Sequence, residues 1–113
     1  MRTARKNIEN RHDSRQKGKR GELELAEYLR EFGFTARRSQ QYRGTENAQD
    51  LVHSVPGVHL ECKRGERARP YEWLAKTIDE AIDGLIPVIA HRQNRQEWIA
   101  ILPLADLLLL LKR

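Results

Sequence analysis

Residues 50–63 read DLVHSVPGVHLECK and contain two strand-like segments on either side of Pro56-Gly57. Polar and apolar residues alternate in the second segment, as in a half-buried β-strand, and a proline–glycine pair suits the centre of a tight turn. We therefore expect an antiparallel hairpin in which Asp50 lies opposite Lys63. In that register Asp50, Glu61 and Lys63 project from one face of the sheet.

The charged face of this expected hairpin is suited to binding a divalent cation. Two carboxylates that lie close together repel each other unless a cation separates them. Carboxylate oxygens and the nearby backbone carbonyl of Cys62 are hard donors, which favour Mg²⁺, with Mn²⁺ as a substitute, over zinc. The alternative is an exposed strand face with an ordinary mixture of charged side chains. The thiol of Cys62 should point to the opposite face, with Leu51 and Leu60.

A helix is predicted over residues 19–32, and Gly33 should end it in the left-handed conformation that helix C-termini favour. Its apolar face consists of Leu25, Ala26, Leu29 and Phe32. Glu24, Glu27 and Glu31 lie on the opposite, solvated side. Glu22 projects near the middle of the apolar face, where an unpartnered carboxylate would be costly. We therefore expect Glu22 to point towards the charged face of the hairpin.

The remaining chain alternates predicted strands and helices. Strands are expected at residues 35–38, 86–91 and 97–102, a polar loop at 39–49, and helices from Pro70 and over residues 104–112. The helix from Pro70 should bury one apolar face, formed by Tyr71, Leu74, Ala75, Ile78, Ile82 and Leu85. Trp73 falls on its other side, where an exposed indole would indicate a contact surface. The pattern predicts an α/β fold with a mixed central sheet of about five strands flanked by helices.

The length and the charge distribution indicate one domain with a basic arm. The chain has 113 residues, of which 39% are hydrophobic, and this suffices for one core. Eight Lys or Arg residues and two acidic residues lie in the first twenty positions, whereas the other positions carry 13 basic and 14 acidic residues. The net charge of +5 therefore comes from the N-terminus, which indicates a polyanionic partner or, alternatively, a solvated basic tail. We expect residues 1–16 to form a basic, flexible arm and residues 17–113 a single domain.

Composition also excludes several classes of protein. The single cysteine, Cys62, excludes an internal disulfide and a zinc site with several thiolates, which favours a reducing, cytoplasmic compartment. The first twenty residues lack the apolar segment of a secretory signal, and the longest apolar stretch, 98–111, is too short to span a bilayer. We expect no membrane segment and no small-molecule cofactor. The four histidines, His12, His53, His59 and His91, lack metal-ligand spacing and are expected to be surface or strand residues.

Asp50, the triplet Glu61-Cys62-Lys63 and a preceding helix that carries Glu22 resemble the PD-(D/E)xK nuclease superfamily. Within it, residues 17–34 and the hairpin are similar to the archaeal-type Holliday junction resolvases and their phage-encoded relatives. The likeness extends from Lys17 to about Leu102. Gln49 stands where the family usually has a proline, and the loop serine often found upstream in the family has no clear match. The resemblance implies a restriction-endonuclease-like fold.

The resemblance also implies roles for the charged residues. Asp50 and Glu61 would bind Mg²⁺ together with the backbone carbonyl of Cys62, and Lys63 would orient or activate the attacking water. Glu22 would complete the site through a water molecule or a second ion. Asp50, Glu61, Lys63 and Glu22 are therefore the expected catalytic residues.

Basic and polar side chains near this site are the expected DNA contacts. They are Arg15, Lys17, Lys19, Arg20, Arg37, Arg38, Gln41, Tyr42, Arg43, Arg64, Arg67 and Arg69. Contacts to phosphates carry no base information, so the shape of the DNA would have to supply selectivity. A homodimer suits this task, since two sites related by a two-fold axis can nick two strands of a four-way junction. The leucine-rich C-terminal helix is the expected dimer contact.

The function implied by the resemblance is that of a Mg²⁺-dependent endonuclease that resolves Holliday junctions in DNA recombination and repair, in the host cytoplasm if a phage encodes it. Two alternatives remain open. One is a related nuclease that acts on flaps, nicks or duplex DNA. The other is a non-catalytic basic DNA-binding module whose carboxylates are structural.

Overall fold

The structure is a computed structural model that describes residues 18–39 and 49–112. The predicted arm over residues 1–16 lies outside the described residues, as do the predicted DNA contacts Arg15, Lys17, Gln41, Tyr42 and Arg43. In chain order, the elements are α1 (residues 18–31), β1 (Ala36–Arg38), β2 (Leu51–His53), β3 (Val58–Arg64), α2 (Pro70–Glu80), β4 (Ile86–Arg92), β5 (Ile99–Ile101) and α3 (Leu104–Leu111). The predicted mixture of helices and strands is confirmed.

The five strands form two sheets, so the prediction of a single central sheet is wrong. β1 and β2 pair antiparallel in a two-stranded sheet. The second sheet has the order β3-β4-β5, with β3 and β4 parallel and β4 and β5 antiparallel. Helix α2 connects the two parallel strands, as such pairs require a crossover connection. β3 is therefore an edge strand of the larger sheet.

The expected hairpin ladder between β2 and β3 is replaced by hydrogen bonds from side chains. The backbone N–H of Leu60 donates to Oε1 of Gln49 at 3.0 Å, and that of Cys62 donates to Oδ2 of Asp50 at 2.7 Å. These two side chains take up N–H groups on the edge of β3, and β2 pairs with β1 instead. The register that placed Asp50 opposite Lys63 is therefore wrong. The turn at Pro56-Gly57 is present, with Gly57 at φ 75°.

The main core lies between α1 and the strands. Its buried residues are Leu25, Ala26, Ala36, Leu51, Leu60 and Ala90, and Cys62 packs against them. Gly21 allows the close approach of α1 to β3, because an added Cβ at this position would lie 2.6 Å from the Cβ of Arg64. The approach brings Glu22 to the side of the molecule on which β1, β2 and β3 meet. Gly33, at φ 91°, follows the helix as predicted.

Helix α2 packs through a different face from the predicted one. Tyr71 is 89% exposed and Ile78 is 52% exposed, although both were expected to be buried. Thr77 is buried instead, and the Trp73 ring lies 5.0 Å from the ring of His91 on β4. Trp73 and Thr77 therefore lie on the face of α2 that meets the sheet. The helix also ends at Glu80, so Ile82 and Leu85 lie beyond it.

Helix α3 is apolar and exposed. None of its eight residues, all within the described part of the chain, is buried. Leu104, Leu108, Leu109 and Leu111 are each more than half exposed. Among the described residues, no helix is long and apolar enough to cross a membrane.

Candidate functional site

The carboxyl groups of Asp50 and Glu61 lie together at the edge of β3. Asp50 directly precedes β2, and its Oδ2 accepts the hydrogen bond from the backbone N–H of Cys62. Glu61 lies on β3, is only 9% exposed, and can share a proton with Asp50 in a hydrogen bond between the two carboxyl groups. Both groups are thus held by the same short segment of backbone, although Asp50 does not pair with Lys63 across a ladder.

The proximity of these carboxyl groups changes the acidity of Glu61. Burial, followed by the negative charge of Asp50 and the hydrogen bond to it, raises the pKa of Glu61 to about 8. The positive charge of Lys63 opposes this shift. Oε1 of Glu61 is buried and has no hydrogen-bond partner among the described residues. At neutral pH the isolated protein therefore holds a proton at a position where a cation could replace it.

Glu22 lies near Asp50 and is paired with Arg38. The Nε of Arg38 donates to Oε2 of Glu22 at 2.7 Å. Burial raises the pKa of Glu22, the hydrogen bond from Arg38 lowers it, and the negative charge of Asp50 raises it again. Glu22 therefore points towards the charged side of the molecule as expected, but its direct partner is Arg38, which belongs to the predicted DNA contacts.

Lys63 lies on the same side of β3 as Glu61, and both its backbone and its ammonium group have a neighbour that positions them. Its backbone carbonyl accepts a hydrogen bond of 2.7 Å from Nδ1 of His91. Its Nζ lies 5.8 Å from the centre of the Trp73 ring, within the range of a cation–π contact. The ammonium group is thus placed beside the carboxyl pair and against α2.

The donor set fits a hard divalent cation such as Mg²⁺. Asp50 and Glu61 supply two adjacent carboxyl groups, and Cys62, which directly follows Glu61 on β3 and whose N–H binds Asp50, adds a backbone carbonyl. Among residues 18–39 and 49–112, no group of three or more His, Cys, Asp or Glu side chains is close enough to hold a metal ion, so Glu22 is not brought together with Asp50 and Glu61 as a third direct ligand. Burial raises the pKa of the Cys62 thiol far above its usual range, which makes it a poor ligand and a poor nucleophile.

Sequence reasoning missed the role of Gln49. Its Oε1 accepts hydrogen bonds from the backbone N–H of Leu60 and from Nε2 of His53 at 2.8 Å. The proton lies on Nε2 of His53 because Nδ1 accepts from the backbone N–H of Val55. Gln49 therefore fixes the start of β2 against β3, directly before Asp50. In the sequence, only the position of Gln49 next to Asp50 pointed to this role.

His59 and Glu24 are two further residues whose environment differs from the expected one. His59 is a strand residue, as expected, but it is fully buried, and its Nε2 lies 3.5 Å from Oε1 of Glu61. Burial lowers the pKa of His59, which favours a neutral ring. Glu24, expected to be solvated, forms ion pairs with Arg64 and Arg92 and so connects α1 to β3 and β4.

The described DNA-contact candidates fall into two groups. Arg64 is largely buried, with its guanidinium hydrogen-bonded to Glu24, to the carbonyl of Arg92 and to the side chain of Asn94. The remaining candidates besides Arg38 are exposed: Lys19, Arg20, Arg37, Arg67 and Arg69. Arg69 makes an exposed ion pair with Glu72 at 3.4 Å. Arg64 therefore supports the fold, whereas the exposed residues present their charge to the surroundings.

Comparisons with models of protein families, with curated proteins and with solved structures find no match to this chain. The resemblance to the PD-(D/E)xK nucleases therefore stays a prediction.

Proposed function

We propose that this protein is a Mg²⁺-dependent DNA endonuclease that resolves four-way junctions. The observation that carries the proposal is the pair of carboxyl groups of Asp50 and Glu61 at the edge of β3, where burial, followed by the negative charge of Asp50, raises the pKa of Glu61 to about 8, with Lys63 beside them. A purely structural strand face does not need a second carboxyl group beside the buried Glu61, because burial and the neighbouring charge of Asp50 both raise the cost of ionising Glu61.

We also propose that the two sheets are parts of one restriction-endonuclease-like fold. Gln49 and Asp50 occupy the N–H groups of β3 that would face a neighbouring strand, so β2 follows the edge of β3 without forming a regular ladder. The parallel pair β3 and β4, connected by α2, forms a mixed sheet with the antiparallel β5, which supports this proposal.

In the proposed reaction, water attacks a phosphodiester and the DNA strand leaves as an alcohol. Asp50, Glu61 and the carbonyl of Cys62 would hold a Mg²⁺ ion, which when bound would supply positive charge to offset the negative charge that accumulates on the phosphate. Glu61 must lose its proton to take part, and Lys63 lowers the cost of this ionisation. The ammonium of Lys63 also supplies a second positive charge and a hydrogen-bond donor beside the phosphate. Asp50 keeps its orientation through the N–H of Cys62.

Two cuts in a four-way junction require two sites, and a homodimer supplies them. We assign the dimer contact to α3, because its leucines are exposed and its only acidic residue is Asp106, in the first turn. A second copy of the chain would cover this apolar surface with the same surface of its own. Exposed basic residues, among them Arg37 and Arg67, would contact the phosphates of the junction arms.

A comparison of substrates tests the proposed function. With Mg²⁺ present, the protein should cut a synthetic four-way junction at least tenfold faster than a flap or a linear duplex of the same sequence. Equal rates on all three would favour the related nuclease and contradict junction resolution. Binding of the junction without cutting, at any concentration of Mg²⁺ or Mn²⁺, would favour the non-catalytic DNA-binding module.

A further inference from the structure

A surface cavity of about 290 Å³ lies beside Lys63, at the C-terminal half of β3. The residues that line it include Lys63, Arg64, Arg67, Trp73, Gly18 and Gly65. Cβ atoms added at the two glycines would meet nothing within 4 Å, so the cavity is open on those sides. Its volume is close to the lower limit for small-ligand sites, about 300 Å³, which suits a single nucleotide unit.

The charge of this cavity suits a phosphate. Lys63 and Arg67 are among its lining residues, and no acidic residue lines it among the described residues. Arg64 also lines it, but its charge is paired with Glu24. A second cavity, of about 340 Å³, has an acidic lining instead. Three glutamates of α1 and Glu97, which precedes β5, line it. Of the two cavities, only the one beside Lys63 is suited to a strand of nucleic acid.

Trp73 gives the cavity an aromatic wall in a fixed position. The ring of His91, 5.0 Å away at an angle of 57°, and the ammonium of Lys63 both contact the indole. His91 is itself buried and hydrogen-bonded to the backbone of Lys63. Trp73 is half-buried and does not belong to the main core, so part of the ring remains open to the cavity. A large aromatic ring that is supported from behind and lies beside cations is suited to stacking on a base.

We propose that this cavity binds the nucleotide next to the phosphate that is cut, with its base stacked on Trp73 and its own phosphate near Arg67. The proposal rests on the proposed nuclease function and adds a substrate contact to it. Stacking accepts any base, because every base has an aromatic face. Trp73 would thus select an unstacked nucleotide, such as those at the branch point, without selecting a sequence.

Abasic substitutions in the DNA test this contact without any cleavage step. Junctions with one abasic nucleotide, moved stepwise along the strand across the branch point, are titrated in EDTA with four proteins: wild type, Trp73→Ala, Trp73→Phe and Tyr71→Ala. Tyr71 is the matched control, because it is an exposed aromatic residue on the same helix.

We expect one abasic position, or two adjacent ones, to weaken wild-type binding about tenfold. Trp73→Ala should bind the intact junction more weakly than wild type by the same factor. Its affinity should be the same whether or not that position is abasic. Trp73→Phe should retain most of the response, and Tyr71→Ala should behave as wild type. If Trp73→Ala remains as sensitive to the abasic position as wild type, or if no position affects wild type, the proposed contact is wrong.

Tryptophan fluorescence gives a second measurement, which does not depend on the folding of Trp73→Ala. The chain has two tryptophans, so Trp98→Phe leaves Trp73 as the only indole. Junction DNA should quench its emission, and the sensitive abasic position should remove most of the quenching. Trp73→Phe, which retains only Trp98, should show little quenching, and equal quenching in both proteins would overturn the proposal. Absence of any junction binding by wild type would overturn the proposed function as well, whereas binding with unchanged Trp73 emission would overturn only the stacking contact.

Discussion

At the scale of single residues, the site depends on where a few polar atoms point. The triplet Glu61-Cys62-Lys63 predicted the side of β3 on which each side chain lies, because strand side chains alternate. The contact between Asp50 and β3 could not be predicted. It depends on a side-chain hydrogen bond to Cys62 in place of a backbone ladder, and alternation carries no information about that choice.

The raised pKa of Glu61 predicts how stability depends on pH. In the unfolded chain Glu61 ionises near the ordinary glutamate pKa of 4.5, whereas in the folded protein its pKa is raised to about 8. The folded state therefore binds more protons, and stability falls as pH rises through this value. In EDTA, the free energy of unfolding should fall by about 1 kcal/mol between pH 7 and pH 8.5. Urea unfolding at several pH values measures this change.

Glu61→Gln is the matched variant for this measurement. It cannot ionise, so its stability should change much less over the same interval. The lowered pKa values of His53 and His59 affect stability only below about pH 6.5, outside the interval. Mg²⁺ should restore the stability of wild type at pH 8.5 and leave Glu61→Gln unchanged. An equal loss in both proteins would show that Glu61 is not the titrating group.

At the scale of elements, helix ends were easier to predict than helix faces. Pro70 begins α2 and Gly33 follows α1, because the backbone preferences of proline and glycine are local. The buried face of α2 was predicted wrongly, because the apolar periodicity does not show that Trp73 contacts His91 on β4 and that Thr77 is buried. The role of Glu24 was missed for a similar reason, since its partners Arg64 and Arg92 are distant in sequence.

The ion pairs of Glu24 predict a measurable contribution to stability. Because Glu24 joins α1 to both parallel strands, Glu24→Ala should destabilise the protein by about 1 kcal/mol and lower the melting temperature by about 4 °C. Glu27→Ala is the control, since Glu27 lies on the same helix and is exposed. Thermal unfolding followed by circular dichroism measures both variants. Equal melting temperatures would mean that the ion pairs contribute nothing to the fold.

At the scale of the whole molecule, the sequence predicted the α/β class but not the division into two sheets. The exposed leucines of α3 are consistent with the expectation that five consecutive leucines cannot all enter one small core. Tyr71 and Ile78 of α2 add exposed apolar surface that the sequence did not predict, because the helix is rotated relative to the predicted face.

If α3 forms the dimer contact, a single substitution on this helix should halve the mass of the particle in solution. Wild type should sediment as a dimer at micromolar concentration, and Leu108→Glu, which introduces a charge into the apolar surface of α3, should sediment as a monomer. Leu23→Glu is the control, because Leu23 is an exposed leucine on α1. Analytical ultracentrifugation distinguishes these states. A monomeric wild type, or dimers of all three proteins, would contradict the assignment of the contact to α3.

The most direct test of the central claim is Mg²⁺-dependent cleavage of a four-way junction by wild type, Asp50→Asn and Lys63→Ala in parallel, with junction binding measured for each. We predict cutting by wild type, a loss of at least a hundredfold in both variants, and binding within a few-fold of wild type. Cutting by Asp50→Asn at the wild-type rate would show that Asp50 takes no part in the reaction.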